Sequence, residues 1–302
     1  MPLQLINTQG LTPLPRPAQS YSEAARRIES LQAKDTSDVN PLCRADFMTH
    51  GRQTERAILF LHGYTNCARQ FHDLGRLFYE RGYNVFNARL PWHGLKDRLT
   101  PRLADLTAVE LVALANEVTD IGRGLGRHVT LGGISAGGVA AAWMAQNRTD
   151  VDQAVVIAPS FAFTLVPASL TKPLTALALA LPNLFLWWDS DLKTNIQPDY
   201  GYPRFATRSL AEIVRLGYAV RYAARASKPR GGKMILVTVG NDPAVDNQVA
   251  YAVADGWQKR HANLVRYEFD PALKLLHDLI DPNQIGQRVD LVYPKLIELI
   301  DS

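Results

Sequence analysis

Runs of uniform character are missing from this chain, and their absence excludes several classes of protein. Only two cysteines, Cys43 and Cys67, occur in 302 residues. So few, so placed, suggest neither a disulfide framework nor a thiolate metal site, and nothing in them argues for an oxidising compartment. Met1 to Gly10 lacks the basic start and continuous apolar run of a secretory signal, so the expected location is cytoplasmic. The longest uncharged stretch of interest, Pro173 to Trp188, is shorter than the roughly 20 apolar residues a transmembrane helix needs, and Pro182-Asn183 interrupts it. Charge of one sign is scarce as well. Lysine plus arginine number 33 against 29 acidic residues, without a long run of either. The densest basic cluster, Arg221, Arg225, Lys228, Arg230 and Lys233, carries no base-stacking aromatic pattern and reads as a solvated face, which excludes nucleic acid as a partner.

What is present is a regular alternation. Apolar runs suited to buried strands occur at Arg56 to Leu61, Tyr83 to Ala88, Val129 to Leu131, Ala154 to Ala158, Met234 to Val239 and Leu264 to Phe269. Between them lie helix-length segments at Cys67 to Arg81, Ala104 to Arg123, Ala136 to Gln146 and Asp246 to Arg260, with a last helical region at Asp281 to Asp301 broken near Pro294. This order predicts an α/β fold, a doubly wound and mostly parallel sheet with helices on both faces. Before it, residues 1–54 form an extension, with a proline-bearing lead, a short helix at Tyr21 to Lys34 capped by Ser20 or Ser22, and a first strand or hairpin arm at Asn40 to His50. The core then spans residues 55–158 and resumes at 233–302. The interval 159–232 has no convincing strand and is far longer than an ordinary crossover, so it reads as an inserted helical cap.

Chemistry concentrates at Gly133-Ile134-Ser135-Ala136-Gly137, a G-x-S-x-G turn between a strand and a helix. Such a turn strains its backbone, and glycine on either side relieves the crowding. A serine hydroxyl is a weak nucleophile until a base takes its proton and a carboxylate orients that base. His277 falls in a loop after the last strand, and Asp242 stands just beyond the preceding one, so Ser135, Asp242 and His277 run in the order expected of this architecture. Asp246 competes for the acid position, although its place at a helix start suits a capping role. Two donors are needed for an oxyanion, and the amides of Ala136 and Tyr64 are placed to supply them. His62, beside Gly63, reads as a loop-shaping residue.

On these residues the chain resembles the α/β-hydrolases. The elbow, the His62-Gly63 turn, the Asp242 loop and the His277-Asp278 pair carry the resemblance. Arg89-Leu90-Pro91-Trp92-His93-Gly94 resembles a Pro-Gly-His-Gly segment of the carboxylesterase, monoacylglycerol-lipase and serine-aminopeptidase-like branch, with Trp92 where glycine is usual. The resemblance implies a Ser-His-Asp triad, an acyl-enzyme intermediate, and no metal or other cofactor. The expected activity is hydrolysis of small to medium acyl esters, monoacylglycerol-like ones included. Trp92, Trp187 and Trp188 are the expected substrate-facing residues, and the apolar cap leaves a peripheral membrane contact open. An aminopeptidase would need an anionic feature such as Asp189, Asp191 or Asp199. A ligand-binding receptor on the same fold is the third reading.

Overall fold

A computed structural model describes residues 7–164 and 166–302; the start of the expected extended lead, residues 1–6, lies outside the described residues. The chain opens with helix α1 (Tyr21–Gln32), whose first turn is capped by Ser20 accepting from the Glu23 amide. The sheet is then built from β1 (Asp46–Met48), β2 (Thr54–Leu61), β3 (Asn84–Ala88), β4 (Gly126–Ile134) and β5 (Gln153–Ile157). It is completed by β8 (Lys233–Val239) and β9 (Asn263–Phe269), after a two-stranded ladder of β6 (Phe185–Trp187) with β7 (Arg204–Ala206). Helices α2 (His72–Tyr79), α3 (Ala108–Leu125), α4 (Ala136–Asn147) and α7 (Asn247–Lys259) cross over between sheet strands, and α8 (Val289–Asp301) closes the chain.

Strand order is β1-β3-β2-β4-β5-β8-β9, with every neighbouring pair parallel except the antiparallel edge pair β1 and β3. The central strands are apolar on both faces because both faces are covered. Along β2, Ala57, Leu59 and Leu61 enter one core layer, whereas Ile58 and Phe60 enter the other. Thus the alternation in sequence has become a sheet with two cores, and its strands end together at one edge. Crossover helix α3 is fixed at its start by a reciprocal capping box between Thr107 and Glu110.

Between β5 and β8 the chain leaves the sheet to form the cap, which contains α5 (Ala168–Ala180), the β6–β7 ladder and α6 (Thr207–Ala226). The sequence predicts helices alone here. The ladder differs because Pro182 drives Leu181 into an extended conformation and ends α5, after which Phe185 pairs with Ala206 and Trp187 with Arg204. No helix among the described residues is long and apolar enough to cross a membrane. The last helix starts only at Val289, and Pro294 lies inside it without a break.

The reading of the cysteines is corrected. Cys43 and Cys67, fully buried, form a disulfide with their Cα atoms 5.2 Å apart. Cys43 lies in a 3-10 turn (Pro41–Cys43) ahead of β1, and Cys67 follows β2. Only the fold brings them together, so their spacing carried no signal, and the cysteine count ceases to argue for a reducing compartment.

Candidate active site

Ser135 joins β4 to α4 with φ = 56° and ψ = −116°, a conformation that side chains other than glycine's rarely adopt. Its backbone is held there from both sides: the Ser135 amide donates to Ile157 O at 2.9 Å on β5, and the Val139 amide donates to Ser135 O at 3.0 Å. The neighbouring glycines permit this. A Cβ on Gly137 would overlap the carbonyls of Leu61 and His62, and one on Gly133 would overlap the Gly137 backbone. Strand β4 and helix α4 therefore approach closely, and the serine is pushed out at the sheet's carboxyl edge.

His277 stands in the loop between β9 and α8, with Nδ1 2.8 Å from Asp242 Oδ2. Asp242 follows β8, and its other oxygen accepts the Ala244 and Val245 amides at 2.8 and 3.1 Å. The carboxylate is thus fixed before it meets the imidazole. Burial opposes its charge, but His277 and the two amides outweigh that and hold Asp242 below the ordinary carboxylate range. For His277, burial likewise disfavours the charged ring, yet the charge and hydrogen bond of Asp242, with Asp278 adding, raise its pKa above the ordinary histidine value. Asp246 is elsewhere: its side chain accepts the Gln248 amide at 2.9 Å and caps α7.

A cavity of about 460 Å³ opens above the serine, and Ser135, His277, Tyr64 and Trp188 all line it. Leu192, Ile196, Pro198, Leu276 and Ile285 make much of its wall apolar. Asp189 is also on the wall, with one oxygen engaged by the Asp191 and Leu192 amides. Trp92 and Trp187 are not among the described residues lining it. Trp92, at φ = 65°, instead donates to Glu110 at 3.1 Å and lies under the Arg102 guanidinium. Trp187 pairs with Arg204, and strand alternation turns it away from the direction of Trp188.

Several residues that the sequence did not single out shape this cavity. Gln70 accepts the Gly63 amide at 2.7 Å and so fixes the turn after β2. Asn66 donates to Asp278 at 2.8 Å and to Asp281 at 3.2 Å, joining that turn to the His277 loop. Tyr200 donates to Asp281 from the cap. Tyr64 faces away from this network, its hydroxyl donating to Ala206 O and accepting the Ala206 amide. Apart from Gln70, seven residues after Gly63, these partners are distant in sequence, and no local pattern announces them.

His62 shapes its loop without titrating near neutrality. Its Nε2 accepts the Leu90 amide at 3.0 Å while Nδ1 donates to Gly63 O at 2.8 Å. Burial, reinforced by neighbouring His93, keeps it neutral, with a pKa well below the ordinary value. His93 is buried beside it and stacks on Tyr202; burial pushes its pKa down to about 4.

The sequence signature of the Alpha/beta hydrolase family matches residues 58–276. The chain belongs to that family. Solved structures share its fold at low identity. A metagenome-derived lipolytic enzyme aligns with a TM-score of 0.65 at 18% identity, over 87% of this chain and 99% of its own. The monoacylglycerol lipase of Paleococcus ferrophilus gives 0.62 at 16%, over 85% and 97%. A soluble variant of monoglyceride lipase from Saccharomyces cerevisiae, in complex with a substrate analogue, gives 0.59 at 13%, over 85% and 91%. No curated protein matches the chain in sequence.

Proposed function

We propose that this hydrolase-family chain is a serine carboxylic ester hydrolase for small to medium acyl esters, monoacylglycerol-like esters among them. One observation carries the reading. Ser135 and His277 line the same cavity, while Asp242 holds the far nitrogen of that histidine at 2.8 Å.

In this reading the hydrogen bond to Asp242 fixes the Nδ1–H tautomer and leaves Nε2 as the base. His277 takes the Ser135 proton as Oγ attacks the ester carbonyl. The Tyr64 and Ala136 amides stabilise the resulting oxyanion, each preorganised in a turn rather than recruited from solvent. Collapse breaks the bond to the alcohol, which leaves with the proton from His277. Water then attacks the acyl-serine, gives its proton to His277, and releases the acid while Ser135 recovers its hydrogen. Each half-reaction returns His277 to its neutral form, and the second restores the Ser135 hydroxyl.

The lining supports an ester with a hydrocarbon acyl group, since its apolar side chains can cover methylenes but offer them no polar partner. Trp188 contributes from the cap, its indole N–H engaged by Thr65 Oγ1 at 3.0 Å and its ring edge-on to Tyr64. Turnover of p-nitrophenyl acyl esters against aminoacyl p-nitroanilides tests the substrate class. Ester cleavage abolished by Ser135→Ala is expected; anilide cleavage without ester cleavage would refute the assignment and return attention to Asp189.

A further inference from the structure

A second cavity of about 160 Å³ lies within the cap, between α5 and α6, with Leu174, Ala178, Leu210 and Val214 on its walls. Thr171, Thr175 and Thr207 also line it, yet their hydroxyls are already engaged. Thr171 donates to Pro167 O, Thr175 donates to Thr171 O, and Thr207 accepts the Leu184 amide. With those polar atoms committed to backbone, the surface presented inward is hydrocarbon. Phe163 is the one described residue that lines both this cavity and the one above Ser135.

We infer that the cap cavity is the binding site for the distal methylenes of a long acyl chain, and that Phe163 is the partition setting how far such a chain reaches. The inference rests on the ester-hydrolase reading and adds the subsite that determines chain length. Phe163 is mounted on a fixed segment of backbone. Phe163 forms an antiparallel bridge with Val245, and next to it the Thr164 amide donates to Ala244 O at 3.0 Å while the Thr164 hydroxyl donates to Pro243 O at 2.6 Å. On the other side, the Asp246 amide donates to Ala162 O at 3.0 Å. The backbone carrying the ring is therefore fastened to the loop that follows Asp242. With that backbone held, rotation or truncation of the Phe163 ring is the change that would join the two cavities.

A chain passing the partition would gain roughly fourfold in kcat/KM for each additional methylene covered. The test is a series of p-nitrophenyl esters from acetate through octanoate and dodecanoate to palmitate, below micelle-forming concentrations, with the parent protein, Phe163→Ala and the double variant that adds Ala178→Phe. Phe163→Ala is expected to raise kcat/KM for dodecanoate and palmitate relative to acetate by at least tenfold. Filling the cap cavity with Ala178→Phe in the Phe163→Ala background should cancel that long-chain gain and leave acetate unchanged. A parallel series of acetate esters with lengthening alcohols should show neither effect. Identical acyl profiles in all variants, or a response confined to the alcohol series, would overturn the inference while leaving the hydrolase intact. Failure of the parent to cleave any ester would instead defeat the underlying reading.

Discussion

Asn66 donates its side-chain amide to Asp278 across 2.8 Å, a contact that joins the turn bearing Tyr64 to the loop bearing His277. The same amide reaches Asp281, while Asn66 Oδ1 accepts the Cys67 amide at 2.7 Å. The proposed oxyanion donor and the proposed base are thereby fixed relative to one another by a residue that touches neither reacting group. Removing the amide leaves two carboxylates short of a donor, Asp281 buried and Asp278 half-buried, and Asp278, already raised in pKa by burial and by the charge of Asp281, is the more sensitive to that loss.

Asn66→Ala is accordingly expected to cost about 1–3 kcal/mol of stability and to lower kcat by about 10- to 100-fold through misplacement of the two loops. KM should change little, because Asn66 is only one of many residues around the cavity. Urea unfolding and steady-state ester hydrolysis measure the two effects. A full loss of stability with unchanged kcat in the folded fraction would show that the contact positions nothing.

The pH dependence of kcat/KM follows from the imidazole's surroundings. In the proposed mechanism His277 must be neutral to accept the serine proton, so activity is expected to fall as pH drops through its pKa. That pKa is raised, and the acidic limb should therefore lie above the ordinary histidine value. Asp242→Asn removes the charge responsible, so the limb should move to lower pH while kcat drops by about 10³- to 10⁴-fold. A limb that stays in place in this variant would show that Asp242 does not set the base.

The disulfide closes a loop from Cys43 to Cys67, separated by 24 positions, beneath the same turn. Gly94, at φ = 71°, packs against Cys43, where a Cβ would come within 2.7 Å of the cysteine Cβ. Replacing both cysteines by alanine should lower the unfolding free energy by about 2–4 kcal/mol, chiefly because the unfolded chain is no longer cross-linked. Equal urea midpoints for the parent and the double variant would contradict this, as would two free thiols titrated in denatured, unreduced protein.

Legibility in the sequence followed the range of the physics. Ala57 to Leu61 and Ala154 to Ile157 declare buried strands because a two-sided core needs a continuous apolar run. Ser135 declares itself because the crowding its turn creates is relieved within two residues on either side. The positions of Asp242 and His277 follow from strand ends, and the structure brings them together at 2.8 Å. Contacts made by returning chain gave no such signal. Cys43 meets Cys67 only after β1 and β2 fold, Phe185 pairs with Ala206 across a long loop, and Asn66 finds Asp278 more than two hundred residues later. Trp92 illustrates the opposite hazard: a conspicuous aromatic in a suggestive motif turns toward Glu110 and Arg102 rather than the cavity.

The central claim is that Ser135 is a nucleophile activated in place by His277 and Asp242. Intact-mass analysis after exposure to a fluorophosphonate tests it most directly, with the parent protein beside Ser135→Ala and peptide mapping of any adduct. One covalent adduct on Ser135 of the parent, absent from Ser135→Ala and much slower to form in Asp242→Asn, is the predicted result. An unmodified parent protein, or an adduct that persists in Ser135→Ala, would contradict it.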